Sequence, residues 1–146
     1  MTTSRSYADF FVPEADVVLA ARARAADLGA SPTGSGTAAA LTFLACAVVA
    51  RSVVEIGTGT GVSGLHLLAG MAPDGILTTI DIEAEYQRAA KKAFVEAGIA
   101  PTRTRLINGR ALDVLPRLTD GAYDMVVVDG APTEYPQYAA EALRLL

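Results

Sequence analysis

The sequence predicts an α/β fold built on a doubly wound parallel sheet. Short, apolar, β-branched runs alternate with longer segments of helical periodicity, a pattern typical of parallel strands joined by helical crossovers. The clearest unit is residues 53–71, where an apolar run, a glycine-rich turn and a second apolar segment follow one another. The run from Met125 to Val128 is apolar on both faces, as a central parallel strand requires.

Ahead of this unit the sequence predicts two helices. One begins at Pro13, a favourable first helical residue, and stops at Gly29. The other is strongly apolar and covers about Thr37 to Ala50. Residues 1–12 are expected to be loose or to form a lid, and residues 30–36 (ASPTGSG) form a turn-rich break between the two helices.

From residue 52 onward, predicted strands and helices alternate. The segment 83–97 is the clearest helix, because it has an apolar stripe that includes Tyr86, acids in its first turn and Gly98 after it. We expect one domain over residues 1–146, with N-terminal helices in 1–51 and a βαβ core in 52–146. Strands are predicted at 52–56, 76–81, 103–108 and 123–129, and further helices at 65–71, 111–118 and 134–146.

Composition argues against several classes of partner. The 146 residues are 51% hydrophobic and carry a net charge of −4 without a long run of Lys or Arg, so neither nucleic acid nor a membrane surface is expected as a partner. The longest apolar run, residues 37–50, is too short to span a bilayer. Cys46 is the only cysteine, which excludes an internal disulfide and favours a cytoplasmic location. We expect Cys46 to be a buried thiol.

The glycine-rich turn predicts a pocket for a nucleotide-type ligand. Gly57, Gly59 and Gly61 can adopt positive φ and carry no Cβ, so a ligand can lie against the backbone itself. The helix that starts near Gly61 offers unpaired N–H groups and the positive end of its dipole to an anionic part of that ligand.

An acidic residue at the end of the second strand refines this prediction. Asp81 follows the glycine turn by about twenty residues and lies at the carboxyl edge of the neighbouring strand. A carboxylate there can accept both hydroxyl protons of a ribose. The alternative is that Asp81 only caps the helix that starts near Glu83.

Two cofactor classes compete for this pocket. Residues 59–64 (GTGVSG) satisfy the G-x-G-x-x-G pattern of dinucleotide-binding proteins. Residues 55–61 (EIGTGTG) resemble motif I of the class I S-adenosylmethionine-dependent methyltransferases, with an acid two places before the first glycine. A carboxylate beside a pyrophosphate is unfavourable, whereas a sulfonium and an ammonium group gain from nearby acids. Glu55 therefore favours the methyl donor.

Three further segments extend the resemblance to the small O-methyltransferases of the catechol and caffeoyl-CoA type, with the bacterial branch as the most similar. The resemblance runs from about Ala30 to Leu146 and implies a Rossmann-like methyltransferase fold, S-adenosylmethionine as cofactor, methyl transfer to a hydroxyl of a small-molecule acceptor, and a homodimer. The segments that carry it are TTIDIE at 78–83, LINGRALDVLPRL at 106–118 and YDMVVVDGAPTEYPQY at 123–138.

The resemblance also implies individual cofactor contacts. The methionine carboxylate would be held by Ser63 and the backbone of the glycine turn, the ribose by Asp81, and the adenine would be bordered by Gly109 to Ala111. The complete set of expected cofactor-binding residues is Glu55, Gly57, Thr58, Gly59, Gly61, Ser63, Asp81, Ile82, Gly109, Arg110, Ala111 and Asp129.

The resemblance gives Asp129 a catalytic role as a ligand of a divalent cation (Mg²⁺) beside the acceptor hydroxyl. The alternative is a strand-end acid that caps the next turn or touches the cofactor. The family's loop has a lysine three places after this aspartate, where this sequence has Pro132. The family's other two metal ligands and three further strands would lie beyond Leu146. We therefore expect a fragment with an exposed fourth strand and little activity by itself.

Two rival functions remain open at this point. One is an NAD-dependent oxidoreductase, which only the G-x-G-x-x-G pattern supports, since no Tyr-x-x-x-Lys pair follows it. The other is a non-catalytic nucleotide-binding module.

Overall fold

Four parallel strands form the centre of the computed structural model, which describes residues 4–146. Their order in the sheet is β3-β2-β1-β4, so β1 is internal, with β2 on one side and β4 on the other. In register, Ile56 pairs with Val128 and Asp81 with Asn108, which aligns the carboxyl ends along one edge. The strands are β1 (Ser52–Ile56), β2 (Ile76–Asp81), β3 (Thr104–Asn108) and β4 (Met125–Val128).

Seven α-helices accompany these strands within the described residues. Three precede the sheet, and the others connect or follow its strands. Their bounds are α1 (Ser4–Phe11), α2 (Asp16–Leu28), α3 (Ser35–Ala47), α4 (Val62–Gly70), α5 (Ala84–Glu96), α6 (Ala111–Val114) and α7 (Tyr135–Leu145). Short 3₁₀ turns lie at Pro101–Arg103, Leu115–Arg117 and Pro132–Glu134.

Apolar side chains pack on both faces of the sheet. Successive residues of a strand point to opposite faces, so Val53 joins the core under α2 to α5, whereas Val54 joins the core under α6 and α7. Phe94 of α5 anchors the first core, and Tyr138 of α7 the second. The predicted doubly wound α/β fold is confirmed.

The carboxyl ends of β1, β2 and β4 are joined by backbone hydrogen bonds. The Gly57 N–H donates to the Ile80 carbonyl at 2.9 Å, and the Asp129 N–H donates to the Ile56 carbonyl at 2.8 Å. Gly57 has a φ of +98°, and a Cβ on it would lie 2.3 Å from the Asp129 carbonyl oxygen. Only glycine therefore lets the chain turn this close to β4.

The N-terminal segment differs from one of the two alternatives predicted for it, a loose segment. Residues 4–11 form a helix rather than a loose segment, while residues 1–3 of that prediction lie outside the described residues. The Asp9 carboxylate accepts the Gly36 N–H at 2.9 Å, and its carbonyl accepts the Ser35 hydroxyl at 2.6 Å, which fastens α1 to the start of α3. The prediction that a helix starts at Pro13 was also wrong, because α2 begins at Asp16 after Ala15 in extended conformation.

Cys46 was predicted to be a buried thiol and is exposed. Helix α3 packs on α4 and buries Ala38 and Ala45, so the neighbouring side chain of Cys46 falls on the outer face. The helix predicted at 111–118 is also broken, since α6 ends at Val114 and a 3₁₀ turn containing Pro116 follows.

No helix in the described part of the chain has the length and apolar character to cross a membrane. Strand β4 pairs with β1 on one side, and residues 4–146 provide no strand for its other side.

We predict that Gly57→Ala destabilises the fold far more than Gly98→Ala. Both glycines have positive φ, so each substitution costs about 1 kcal/mol for the left-handed conformation. A Cβ at Gly98 meets no atom within 4 Å, whereas a Cβ at Gly57 displaces the end of β4. Thermal unfolding should show a melting temperature at least about 5 °C lower for Gly57→Ala than for Gly98→Ala. Equal melting temperatures would contradict the close approach at Gly57.

Candidate functional site

Two adjoining cavities lie at the carboxyl edge of the sheet. The first, here the loop cavity, is about 190 Å³ and lies between residues 29–33 and the glycine turn. The second, here the strand-end cavity, is about 450 Å³ and lies between the strand ends and residues 109–111 and 130–138. Both are lined by Gly57, Asp81, Tyr86 and Asp129, so they form one groove across the edge. This is the crevice at which open α/β sheets bind their ligands.

On the side of the glycine turn, the loop cavity is lined by residues without bulky side chains. Gly57, Thr58 and Gly59 line it, and Gly59 has a φ of +50° with open space where a Cβ would be. The buried Ser63 in the first turn of α4 also faces this cavity. A polar ligand group can therefore approach the loop N–H groups and a hydroxyl at the start of a helix.

Asp81 holds the glycine turn and the start of α5 together. Its Oδ2 accepts the Gly59 N–H at 2.9 Å, and its Oδ1 accepts the Glu83 N–H at 2.9 Å. The bond from Glu83 does not cap α5, because Glu83 is the N-cap residue and its N–H lies before the first turn of the helix. Each carboxylate oxygen can accept more than one hydrogen bond, so Asp81 still offers acceptors to a ligand in either cavity.

The strand-end cavity brings together the predicted residues that follow β2 and β3. Ile82, Gly109, Arg110 and Ala111 all line it. The Gly109 N–H donates to the Asp81 carbonyl at 2.9 Å. The Asn108 amide donates to the carbonyls of Asp81 and Ile82 at 3.0 Å each. These contacts hold the segment after β3 against the end of β2.

A polar clamp crosses the far wall of the strand-end cavity. Glu134 accepts hydrogen bonds from the Arg110 guanidinium and, at 2.5 Å, from the Tyr138 hydroxyl. The bond from Arg110 lowers the pKa of Glu134, and burial together with Glu134 raises the pKa of Tyr138 to about 12. No local sequence pattern indicates Glu134, because the clamp depends on a contact between segments that are 24 residues apart.

The wall of the loop cavity opposite the glycine turn is tied to α2. The Arg22 guanidinium donates to the Thr33 carbonyl at 2.7 Å and makes two 2.6 Å bonds to the Glu14 carboxylate. The bond from Arg22 lowers the pKa of Glu14. Residues 30–33 were predicted only as a turn-rich break, and nothing in their composition indicated a ligand-facing wall.

Two of the predicted site residues face neither cavity. Gly61 instead lies against α5, where a Cβ would come within 3.1 Å of Ala90 and 3.3 Å of Phe94. Glu55 is fully buried beneath the glycine turn, and its Oε2 accepts the Thr79 hydroxyl at 2.6 Å. The structure adds Tyr86, which was predicted only as part of the apolar stripe of α5 and lines both cavities.

Burial controls the ionisation of Glu55. Desolvation raises the pKa of its carboxyl to about 7, against the opposing effect of hydrogen bonding by Ser63 and Thr79. The charges of Asp129 and Asp81 raise it further. The Oε1 atom makes no well-aligned hydrogen bond with the described residues.

Asp129 lies where the two cavities meet. It directly follows β4, and partial burial of its carboxyl raises its pKa although the residue as a whole is exposed. Within residues 4–146, no group of three His, Cys, Asp or Glu side chains is arranged to hold a metal ion. The metal role predicted for Asp129 therefore has no preformed ligand set in this part of the chain.

We predict that Glu55→Gln removes a pH-dependent loss of stability. Because folding raises the pKa of Glu55 from 4.5 to about 7, its favourable contribution is complete below the lower value and is lost as the pH rises through the upper one. The loss amounts to roughly 3 kcal/mol at about pH 8. Urea unfolding from about pH 5 to about pH 8 should show wild type falling relative to Glu55→Gln. Glu85→Gln, at an exposed carboxyl of α5, is the control, and parallel profiles for all three proteins would refute the prediction.

Comparison with known proteins agrees with this fold. An O-methyltransferase family model matches residues 19–146. A curated protein of Mycobacteroides abscessus, provisionally named an O-methyltransferase, is 55% identical over 141 residues, which are 97% of this chain and 66% of that protein. A second curated relative, from Mycobacterium sp. strain JLS, is 54% identical and is covered over 64% of its length. The chain thus spans about two thirds of the length of these relatives.

Solved structures also have a fold similar to that of this chain. A protein of Corynebacterium glutamicum superposes with a TM-score of 0.89 at 34% identity, over 97% of this chain and 67% of that one. The O-methyltransferase TomG of Streptomyces achromogenes, solved with S-adenosylmethionine, superposes with a TM-score of 0.87 at 31% identity, over 95% and 64% of the two chains. From the family match over residues 19–146 and these similarities, the chain belongs to the O-methyltransferase family.

Proposed function

We propose that this protein transfers a methyl group from S-adenosylmethionine to a hydroxyl of a small-molecule acceptor. The observation that carries the proposal is the continuous groove at the carboxyl edge, with bare glycine backbone at one end, Asp81 in the middle and the slot at Gly109 to Ala111 at the other. An amino-acid tail, a ribose and a planar base follow one another in the same order in the cofactor.

The lining residues fit the cofactor part by part. In this proposal the methionine carboxylate lies against Ser63 and the N–H groups of Gly57, Thr58 and Gly59, where the absence of Cβ atoms leaves room. Asp81 accepts the ribose hydroxyls, and the adenine lies between Ile82 and residues 109–111. Gly61 and Glu55 support the glycine turn from behind. Gly61 lets α5 pack closely against the turn, and Glu55 places a carboxyl beneath the turn.

Similar proteins support the choice of cofactor. TomG, at 31% identity, was solved with S-adenosylmethionine, and an O-methyltransferase of Bacillus cereus with the same fold was solved with S-adenosylhomocysteine. The alternative of a NAD-dependent oxidoreductase is not favoured by these similarities. Electrostatics agree, because Asp81, Asp129 and the buried Glu55 would repel a pyrophosphate when ionised.

Methyl transfer from this donor needs positioning more than acid–base chemistry. When bound, S-adenosylmethionine supplies an electrophilic methyl carbon next to a sulfonium. The chain's own residues would bind the two ends of the cofactor and so fix the direction in which that carbon faces. Asp129, which lines both cavities, lies in this proposal beside the acceptor hydroxyl.

The resemblance to metal-dependent relatives predicts a divalent cation such as Mg²⁺, with Asp129 as one ligand. Mg²⁺ requires about six oxygen ligands, and the described residues offer no group of three acids or histidines for it. Asp129 alone therefore does not fit the ion, and the proposed methyl transfer does not include it.

The proposal includes the setting in which the protein works. We expect residues 1–146 to act as a single cofactor-binding domain in the cytoplasm, in a homodimer, without nucleic-acid or membrane partners. The net charge of −4 supports the absence of nucleic acid. The exposed rings of Phe10 and Phe11 on α1 support a partner surface near the N-terminus.

The proposal predicts that S-adenosylhomocysteine binds and that Asp81→Ala weakens it by about tenfold or more, because a charge-assisted hydrogen bond to the ribose is lost. Isothermal titration calorimetry measures both affinities. Asp81 also accepts the Gly59 N–H, so Asp81→Ala changes the glycine turn as well as the contact with the ribose. A second ligand, an S-adenosylhomocysteine analogue that lacks a ribose hydroxyl, separates these two effects. Wild type should bind that analogue more weakly than S-adenosylhomocysteine, whereas Asp81→Ala should bind the two ligands with equal affinity.

Asp113→Ala, in the short helix α6, is the matched control and should bind like wild type. Binding of NAD in place of S-adenosylhomocysteine would overturn the proposed function. An Asp81→Ala protein that still discriminates between the two ligands would overturn the ribose assignment alone.

A further inference from the structure

A chain of buried polar groups runs beneath the glycine turn. It begins at Gln87 on α5, passes through Thr58 of the turn and Thr79 of β2, and ends at Glu55 of β1. All four side chains are buried. Buried polar groups are costly unless their hydrogen bonds are made, and this chain satisfies its members except at Gln87 Oε1 and Glu55 Oε1, which make no well-aligned hydrogen bond with the described residues.

The Ile107 carbonyl fixes the direction of the first hydrogen bond in this chain. The Gln87 side-chain amide faces both this carbonyl, at 3.1 Å, and the Thr58 hydroxyl, at 2.9 Å, through the same atom. A carbonyl can only accept, so that atom must be the nitrogen, and Gln87 donates to both. The Gln87 amide is therefore oriented by β3.

The remaining directions depend on the ionisation state of Glu55. An ionised carboxylate can only accept, so Thr79 then uses its single hydroxyl proton on Glu55 Oε2 at 2.6 Å. In that state the 2.7 Å contact between the hydroxyls of Thr58 and Thr79 takes its proton from Thr58, which accepts from Gln87. With Glu55 ionised, all donors in the chain are therefore directed towards its carboxylate, the acceptor that charge-assisted hydrogen bonds favour.

Thr58 connects this chain to the groove. Its backbone lies between Gly57 and Gly59 in the lining of the loop cavity, while its side chain points down into the buried chain. The underside of the glycine turn is thus fastened to β2 and α5, and Asp81 fastens it at Gly59.

We propose that Gln87 is a positioning residue for the cofactor, which through its hydrogen bond to Thr58, and through the contact of Thr58 with Thr79, holds the glycine turn in its binding conformation. This inference rests on the proposed function, because it names the residue that orders the methionine end of the S-adenosylmethionine site. If Gln87 were purely structural, it would only fasten α5 to β3 through its hydrogen bond to the Ile107 carbonyl, without any effect on the glycine turn.

The test is titration of S-adenosylhomocysteine into wild type, Gln87→Met, Thr79→Val and the double variant, with the melting temperature of each protein measured without ligand. Gln87→Met keeps the length of the side chain and removes the donors, so affinity should fall about fivefold, as expected for one hydrogen bond. The double variant should bind no more weakly than the weaker single variant, because both substitutions break the same chain. Thr79→Ser keeps the hydroxyl and should bind within about twofold of wild type.

Several outcomes would overturn the inference. A lower melting temperature for Gln87→Met with unchanged affinity would reduce Gln87 to a structural residue, and fold-changes that multiply in the double variant would show that the two residues act separately. If Gln87→Met does not fold, Gln87→Glu keeps the shape but presents acceptors to Thr58, and unchanged affinity there would overturn the inference. Absence of binding by wild type would overturn the proposed function as well.

Discussion

The glycine turn depends on the carboxylate of Asp81, and the groove depends on that turn. One carboxylate oxygen holds the Gly59 N–H and the other the Glu83 N–H, so a single side chain joins the turn after β1 to the helix after β2. Because the Asp81 carbonyl also accepts the Gly109 N–H, the segment after β3 is drawn to the same point. Without an acid here, the turn after β1 and the start of α5 would lose their common partner, whereas the backbone bond from Gly109 does not depend on the side chain.

The sheet order explains why these connections meet. Strand β1 is central, β2 and β4 flank it, and the parallel arrangement brings the carboxyl ends of all three to one edge. Gly57 then allows the turn to lie against the end of β4, where Asp129 follows. The groove is thus a consequence of strand order together with one residue that lacks a side chain.

Two polar assemblies flank this groove and differ in exposure. Beneath the turn, the chain from Gln87 to Glu55 is enclosed, so its hydrogen bonds act in a low dielectric and each missing partner is costly. At the far wall, the clamp of Arg110 and Glu134 is more exposed, so solvent screens its attraction. We therefore attribute the rigidity of the turn to the buried assembly, whereas the clamp shapes the wall of the strand-end cavity.

The sequence by itself determined the parallel α/β fold, β1 and β2 to the residue, and the part of the groove at the glycine turn and the strand ends, because strand periodicity, glycine spacing and a strand-end acid are local patterns. Tertiary structure alone decided which residues face the cavities. Glu55 and Gly61 lie in the predicted motif but turn away from the groove, whereas Tyr86, Glu134 and residues 30–33 reach it from other elements. The exposure of Cys46 was likewise decided by which face of α3 meets α4. Contacts between distant segments set these outcomes, and no local pattern encodes them.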